Sequence, residues 1–164
     1  MITVIYFWQI KRVDIPFALF RMAIDRTLLR RSKGVTFAKL LGCGKGETFT
    51  PTDADPTRWG CLVVISQSEL AALDNSPTIR AWRTKSVSEF RVVLDPIAST
   101  GMWSKQKPFQ PSAPTDFEGQ VVAITRARIK SSQTMRFFKS VPPVTASLHS
   151  SPGLISTIGI GEAP

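Results

Sequence analysis

Apolar and polar positions alternate along the chain in blocks that predict a mixed sequence of strands and helices. Ile2–Trp8 (ITVIYFW) is an unbroken run of β-branched and aromatic residues and predicts a buried strand. Asp14 can cap a helix and Pro16 fits a first turn, so a helix is predicted from there to about Arg31. Its apolar residues (Phe17, Leu19, Phe20, Met22, Ile24, Leu28 and Leu29) cover more than one stripe. Such a helix packs on two sides, or turns one side to a hydrophobic ligand or lipid. Arg30, Arg31 and Lys33 suit the negative end of the helix dipole, and Gly34 ends the helix. Val35–Leu41 and Trp59–Ile65 follow as strands. Ser66 with Glu69 three residues on fits a capping box for a helix through Leu73. Glu89–Leu94 predicts a fourth strand, ended by Asp95-Pro96. Residues 104–119 hold Pro108, Pro111 and Pro114 and read as a linker. Beyond it, Val121–Lys130 predicts a strand, and Ser131 or Ser132 caps a helix that includes Met135–Lys139. Pro142-Pro143 is expected to break or kink that helix, and Leu154–Ile158 predicts the next strand.

This order suits an α+β protein of two ferredoxin-like units, with antiparallel sheets covered on one face by helices. Two such sheets can pack face to face as an α/β barrel. The expected division is a first unit over 1–103, a Pro-rich linker over 104–119 and a second unit over 120–164. A glycine cluster with an acid behind it marks each unit: Gly42-Cys43-Gly44-Lys45-Gly46-Glu47, and Gly159-Ile160-Gly161-Glu162. The repetition suggests two copies of one supersecondary unit, with both turns lining a shared cavity. After Glu47 the chain continues into another strand and helix, whereas after Glu162 it reaches Pro164. The second unit is therefore expected to be incomplete, the chain a truncation. The open edge and exposed apolar surface left behind predict self-association or poor solubility.

Composition narrows the partners only by class. The 164 residues are 43% hydrophobic, enough for a core, and carry a net charge of +9. The cationic surface favours nucleic acid, anionic lipid or an acidic protein. Ile2–Trp8 lacks a preceding basic region and a following small-residue cleavage site, so it is read as a strand rather than a secretory signal. No run reaches the ~18 apolar residues of a membrane span. The expected location is cytoplasmic, or peripheral to the inner membrane. Two cysteines, Cys43 and Cys61, make no disulfide framework, and with one histidine they make no clustered zinc site.

Several motifs invite a chemical reading. Gly42-x-Gly44-x-Gly46 is not a dinucleotide fingerprint, because Glu47-Thr48-Phe49-Thr50-Pro51 does not open a helix. It is not a P-loop either, because Gly46 rather than Ser or Thr follows Lys45. The bland reading is a glycine-rich strand exit with positive φ angles. Arg126, Arg128 and Lys130, two apart, would share a strand face: a solvated face, or a cationic wall for a carboxylate, propionate or phosphate. His149, the one histidine, is read as a surface residue. Trp103, beside the linker, suits a lid or pocket role. No Ser/His/Asp triad, paired carboxylates or nucleic-acid signature with interleaved surface aromatics is present in the pattern. The catalytic and metal-binding residues are left unassigned.

Four blocks carry a family resemblance. Phe37-x-Lys39-Leu40-x-Gly42-x-Gly44-x-Gly46-Glu47-x-Phe49-Thr50-Pro51 resembles the signature of spheroidene monooxygenase-like proteins. Gly101-x-Trp103-Ser104 with Pro108-Phe109, Ala123-Ile124-Thr125-Arg126-Ala127-x-Ile129, and Ile158-Gly159-Ile160-Gly161-Glu162-x-Pro164 are similar to the family's later blocks, in order. The resemblance implies a dimeric α/β-barrel type of fold and a haem-containing oxygenase that hydroxylates and ketolates acyclic carotenoids, using dioxygen and an external electron donor. It also implies that members continue beyond the last block with a strand, a helix and a histidine-bearing segment. For haem, His149, Cys43, Cys61 and Tyr6 are the axial candidates within this segment.

The resulting expectation is a haem-dependent monooxygenase acting on a long apolar substrate. Lys39, Gly42, Gly44, Glu47, Trp103, Arg126, Gly159, Gly161 and Glu162 are expected to contact the cofactor, with Glu47 and Glu162 fixing the turns. Arg126 is expected to hold a haem propionate, and His149 to be dispensable. The expected partners are the substrate, the electron donor, an anionic membrane surface and a second copy of the chain, with no specific nucleic acid. The alternative is a non-catalytic α+β barrel that binds a small apolar ligand or a protein partner.

Overall fold

The computed structural model describes residues 1–111 and 118–162. Pro114 of the Pro-rich stretch and Ala163-Pro164 of the last block lie outside the described residues. Five antiparallel strands form one sheet: β1 (Ile2–Ile10), β2 (Val35–Gly44), β3 (Ala54–Ile65), β4 (Ser86–Leu94) and β5 (Gly159–Glu162). Their order is β4-β1-β3-β2-β5. The helices are α1 (Ile15–Arg31), α2 (Leu70–Asp74), α3 (Pro77–Lys85) and α4 (Thr134–His149). Through β4 this is a ferredoxin-like α+β unit, as expected, and β5 extends it along the outer edge of β2.

Period-two alternation in the strands divides the apolar residues between two faces. On the helix-covered face, Val4, Tyr6 and Trp8 of β1, Ala38 and Leu40 of β2, and Cys61, Val63 and Ile65 of β3 bury against Ala18, Leu29, Ile79 and Trp82 of α1 and α3. Trp8 stacks between Tyr6 (ring centroids 5.4 Å) and Trp82 (5.1 Å). The polar groups in this core are paired. The Tyr6 hydroxyl donates to Asp74 at 2.9 Å, and the Trp82 indole N–H donates to the buried Asp25 at 2.8 Å. On the opposite face, Ile5, Phe37, Leu41, Leu62 and Val64 are covered by Trp103, with Phe109, Ile124 and Ile160 packed alongside. Here the segment after β4 returns across the sheet and builds the candidate site.

Several expectations change in detail. The helix Pro77–Lys85 was not legible, although Ser76 accepts a hydrogen bond from the Ile79 amide and Pro77 fills the first turn. Asp14 and Ser66 precede helical turns but make no side-chain cap; Asp14 pairs with Lys85 at 3.0 Å, and Glu69 with Lys33 at 2.8 Å. Neither Val121–Lys130 nor Leu154–Ile158 is a strand. Helix α4 continues through Pro142 and Pro143, whose missing N–H groups free the carbonyls of the half-buried Phe138 and the exposed Lys139. Among the described residues the segment beyond the linker forms no sheet of its own. Its strand β5 joins the first sheet beside β2, and Gly159 lets its backbone lie against the Gly46 turn. Among the described residues no helix is long and apolar enough to cross a membrane.

Candidate functional site

Strands β2 and β5 pair glycine against glycine. Gly42 lies opposite Gly161, Gly44 opposite Gly159, and Leu41 opposite Glu162. A Cβ on Gly159 would sit 2.7 Å from the Gly46 Cα, and Gly46 itself has φ +78°. The two glycine clusters therefore meet as paired backbone. Gly159 serves the close approach of β5 to the Gly46 turn.

The register places Glu162 on the same face as Leu41, diagonal to Lys39 two residues earlier on β2. The Lys39 ammonium donates to Glu162 Oε2 at 2.6 Å and to Ser104 Oγ at 2.6 Å, and Lys39 is only 7% exposed. The other carboxylate oxygen, Oε1, accepts from the Trp103 indole N–H at 2.6 Å and from Arg126 Nε at 2.9 Å. The Arg126 guanidinium lies over the Trp103 ring, 5.4 Å from its centroid. Trp103 in turn meets Phe37 edge-on at 5.5 Å and Phe109 at 6.3 Å. Burial raises the Glu162 pKa, but hydrogen bonds from Lys39, Arg126 and Trp103 outweigh it, and the carboxyl sits below its usual value. Glu162 is thus held as a carboxylate between two cations. The cluster joins one residue or more from each of the four sequence blocks: Lys39, Trp103-Ser104, Arg126 and Glu162.

A strained hairpin presents Trp103 and Ser104. Trp103 and Gln106 exchange backbone hydrogen bonds at 2.8 and 3.1 Å across a two-residue turn. Its central residues, Ser104 and Lys105, have φ of +53° and +63°. This conformation belongs to Asn-Gly type turns, and side-chain-bearing residues adopt it at a cost.

Glu47 does not fix the first turn with its carboxylate, which is a correction. Asp53 does so instead. One oxygen of the Asp53 carboxylate, Oδ2, accepts from the amides of Gly46, Glu47, Thr48 and Phe49 at 3.0–3.3 Å. Glu47 contributes its amide only, and its side chain is exposed. The signal was present in the sequence as an Asp just beyond a Gly-rich loop, on the Thr-Pro-Thr-Asp turn.

Haem was the implied cofactor, and the four axial candidates do not fit it in this arrangement. Cys43 is buried, and burial pushes its thiol up to about 12, away from the thiolate that binds iron. Cys61 lies in the helix-side core with its thiol likewise raised by burial. Tyr6 is raised by burial and by its hydrogen bond to Asp74. His149 is exposed at the end of α4. A polar concavity of about 130 Å³ is lined by Arg30, Val35, Thr36, Phe37 and Gln106, and an open one of about 450 Å³ by Pro143, Val144, Ser147, Leu148 and Ser151. None of the four candidates lines either. Arg126, expected on a propionate, faces Glu162.

A ferredoxin-like α+β chain with this cluster matches known proteins over most of its length. No protein-family model matches it. It is 31% identical over 158 residues to the spheroidene monooxygenase of Rhodobacter capsulatus, covering 92% of this chain and 64% of that protein. It is 34% identical over 134 residues to the spheroidene monooxygenase of Rubrivivax gelatinosus, covering 80% of this chain and 51% of that protein. The chain thus spans between half and two thirds of the length of these relatives. Among solved structures it resembles an antibiotic biosynthesis monooxygenase (TM-score 0.47, 14% identity, 60% of this chain and 100% of that one). It also resembles Rv0793 from Mycobacterium tuberculosis (TM-score 0.44, 17% identity, 61% of this chain and 98% of that one). Its sequence relatives, 29–34% identical over most of this chain, support a spheroidene monooxygenase-like family.

Proposed function

We propose that the chain is the oxygenase segment of a monooxygenase acting on a long apolar substrate of acyclic carotenoid type. The observation that carries this reading is the convergence of the family's four sequence blocks on one cluster, Lys39–Glu162–Trp103–Arg126. In the reaction one atom of dioxygen enters a C–H bond and the other leaves as water, with two electrons from an external donor. Residues of the chain would bind and orient. Phe109, half-buried beside the buried Trp103 and Phe37, would offer aromatic surface to a polyene, while the Glu162 network fixes Trp103 and keeps β5 and the hairpin on the sheet. A second copy of the chain would cover what this face leaves open, and contact with an anionic membrane would deliver the substrate. Haem remains the redox group implied by the family. Tyr6, Cys43 and Cys61, buried with raised pKa values, and the exposed His149 do not fit it as ligands.

One observation favours a second reading. All four axial candidates are buried in the core or, for His149, exposed at the end of α4. A chain of this kind could bind an apolar ligand without oxidising it. The test is turnover of an acyclic carotenoid with isotopically labelled dioxygen and a reducing system, read by mass spectrometry beside ligand quenching of tryptophan fluorescence. Label in the product supports the oxygenase. Quenching without label supports the binder, and neither result sinks both.

A further inference from the structure

Helix α1 is apolar on two sides, and the sheet takes only one of them. Ala18, Met22, Asp25 and Leu29 face the core or lie against it. The positions that recur on the opposite side, Pro16, Leu19, Phe20, Ala23, Thr27 and Arg30, are all exposed. Leu19 is 57% exposed and Phe20 62%, and Val13, just before the helix, is 79%. A large aromatic and a leucine side by side in water are unfavourable unless something covers them.

The charges around these residues say what covers them. Arg26, Arg30 and Arg31 are exposed on the C-terminal half of the same helix, and Lys11 and Arg12 are exposed just before it. The two acids of the segment are turned away: Asp14 pairs with Lys85 at 3.0 Å, and Asp25 is buried with Arg21 at 2.7 Å. The outward face therefore combines apolar side chains with cations and presents no free carboxylate among the described residues. Interfacial helices have this composition: the apolar side chains enter the acyl boundary and the long cationic ones reach the phosphates. A nucleic acid would use the arginines but leave Leu19 and Phe20 in water. Helix α4 also exposes apolar residues, Met135 and Val144, but they flank its inner contacts with the Gly46 loop.

We propose that the outward face of α1, centred on Leu19 and Phe20 and ringed by Arg26, Arg30 and Arg31, docks on an anionic lipid bilayer. The proposal rests on the reading of the substrate as long and apolar, since such a molecule resides in the bilayer. It deepens that reading by naming the surface. Docking through α1 leaves the cluster face of the sheet, on the opposite side, free.

The test is flotation of the full 164-residue chain with vesicles of mixed phosphatidylcholine and phosphatidylglycerol, and with phosphatidylcholine alone. The chain should float with the anionic vesicles only. Leu19→Ser/Phe20→Ser should weaken binding about ten- to a hundredfold. Arg26→Gln/Arg30→Gln/Arg31→Gln should weaken it about a hundredfold, at the usual contribution of a surface cation. All five sites are exposed, so both variants should keep wild-type melting curves. Met135→Ser/Val144→Ser on α4 should bind as wild type. The proposal is overturned if the wild type does not float, if the Leu19/Phe20 variant binds undiminished, or if the α4 variant loses as much. It is also overturned if duplex DNA is bound as tightly by the Leu19/Phe20 variant as vesicles are by the wild type, or if that variant dissociates a dimer in sedimentation. Turnover of detergent-dispersed substrate does not need this face. For the wild-type chain, turnover without flotation therefore speaks against docking alone, and flotation without turnover speaks against the oxygenase reading alone.

Discussion

Lys39 and Glu162 stand 123 positions apart in the chain and meet at 2.6 Å, the lysine side chain 8% exposed and the glutamate 29%. Their contact locks the edge strand β5 to its neighbour β2. The two partners are not equivalent. Glu162 keeps Arg126 and Trp103 if the lysine is lost, whereas Lys39 keeps the Ser104 hydroxyl and the Phe37 ring, but no anion, if the glutamate is lost. A buried cation left without its acid is the costlier defect. Glu162→Ala should therefore destabilise by about 2–4 kcal/mol and Lys39→Met by about 1–2 kcal/mol, read by urea unfolding. Equal losses would mean that the pair contributes only through its packing.

The same carboxylate sets an acid limb of stability. Its folded pKa lies below the ordinary 4.5. A depressed acid contributes stability that is present above the unfolded pKa and is lost as pH falls through the folded pKa. The melting temperature should therefore drop as pH is lowered from about 5 through the range below the ordinary glutamate value. Glu162→Gln should start lower at neutral pH and show a shallower drop. Asp74, raised by burial but held low by hydrogen bonds from Arg91, Tyr6 and Arg83, contributes a limb of the same sign. Some slope should thus survive in Glu162→Gln, and a slope identical to that of the wild type would remove Glu162 from the account.

What could be read in the sequence and what could not follow from the range of each interaction. β1, α1 and the core of β3 were legible because each is a long apolar run with a local stop, such as Gly34 at φ +75°. Helix α3 was hidden because Pro77 and Arg80 interrupt its apolar pattern, while its stability comes from Trp82 against Trp8 and Asp25. The run Val121–Lys130 alternates like a strand, yet pairs with no strand among the described residues; Ile124 packs against the sheet and Arg126 reaches Glu162. The residues of the cluster were singled out through their motif blocks, but no local pattern could show that four separate blocks meet. Asp53 was missed for the opposite reason: its bonds are local, but they run to backbone amides, so the one signal was an Asp just beyond the glycine-rich loop.

Asp53 predicts a local effect. Its carboxylate serves as acceptor for the amides of residues 46–49. Asp53→Ala should cost about 2–3 kcal/mol, the scale of several charge-assisted bonds lost together at a partly exposed turn. Hydrogen exchange should accelerate at Gly46, Glu47, Thr48 and Phe49 before any change in β1 or β3. Asp53→Asn, which keeps one acceptor oxygen, should fall between. Unchanged exchange at these four amides would show that the turn holds itself.

The hairpin at Ser104-Lys105 stores strain that can be relieved at one position. Both residues have positive φ. Lys105→Gly removes the steric cost of the left-handed conformation and leaves the Ser104–Lys39 bond in place. It should stabilise by about 0.5–1 kcal/mol, although glycine gives up part of this through chain entropy. Ser104→Gly should not stabilise, because it deletes a partner of the buried ammonium. A rise in melting temperature for Lys105→Gly alone is the expected signature, and a rise in both variants would show that the hydroxyl contributes nothing.

The two glycines of the last strand separate approach from conformation. A Cβ on Gly159 would lie 2.7 Å from the Gly46 Cα and 2.9 Å from the Gly46 nitrogen, both backbone atoms that cannot swing aside. A Cβ on Gly161 would meet nothing within 4 Å. The two residues stand in the same motif, two positions apart, on the same strand. Gly159→Ala should push β5 from the Gly46 turn and loosen the Glu162 network that depends on the strand, at about 2–3 kcal/mol, as for other overpacked sites. Gly161→Ala should lie within about 0.5 kcal/mol of wild type, the range of an open surface position. Hydrogen exchange along β2 from Leu41 to Gly44 reports the difference directly, since those residues pair with β5. Faster exchange in Gly159→Ala and none in Gly161→Ala is the expected result. Equal effects would mean that the glycines serve flexibility of the strand rather than the approach of one backbone to another.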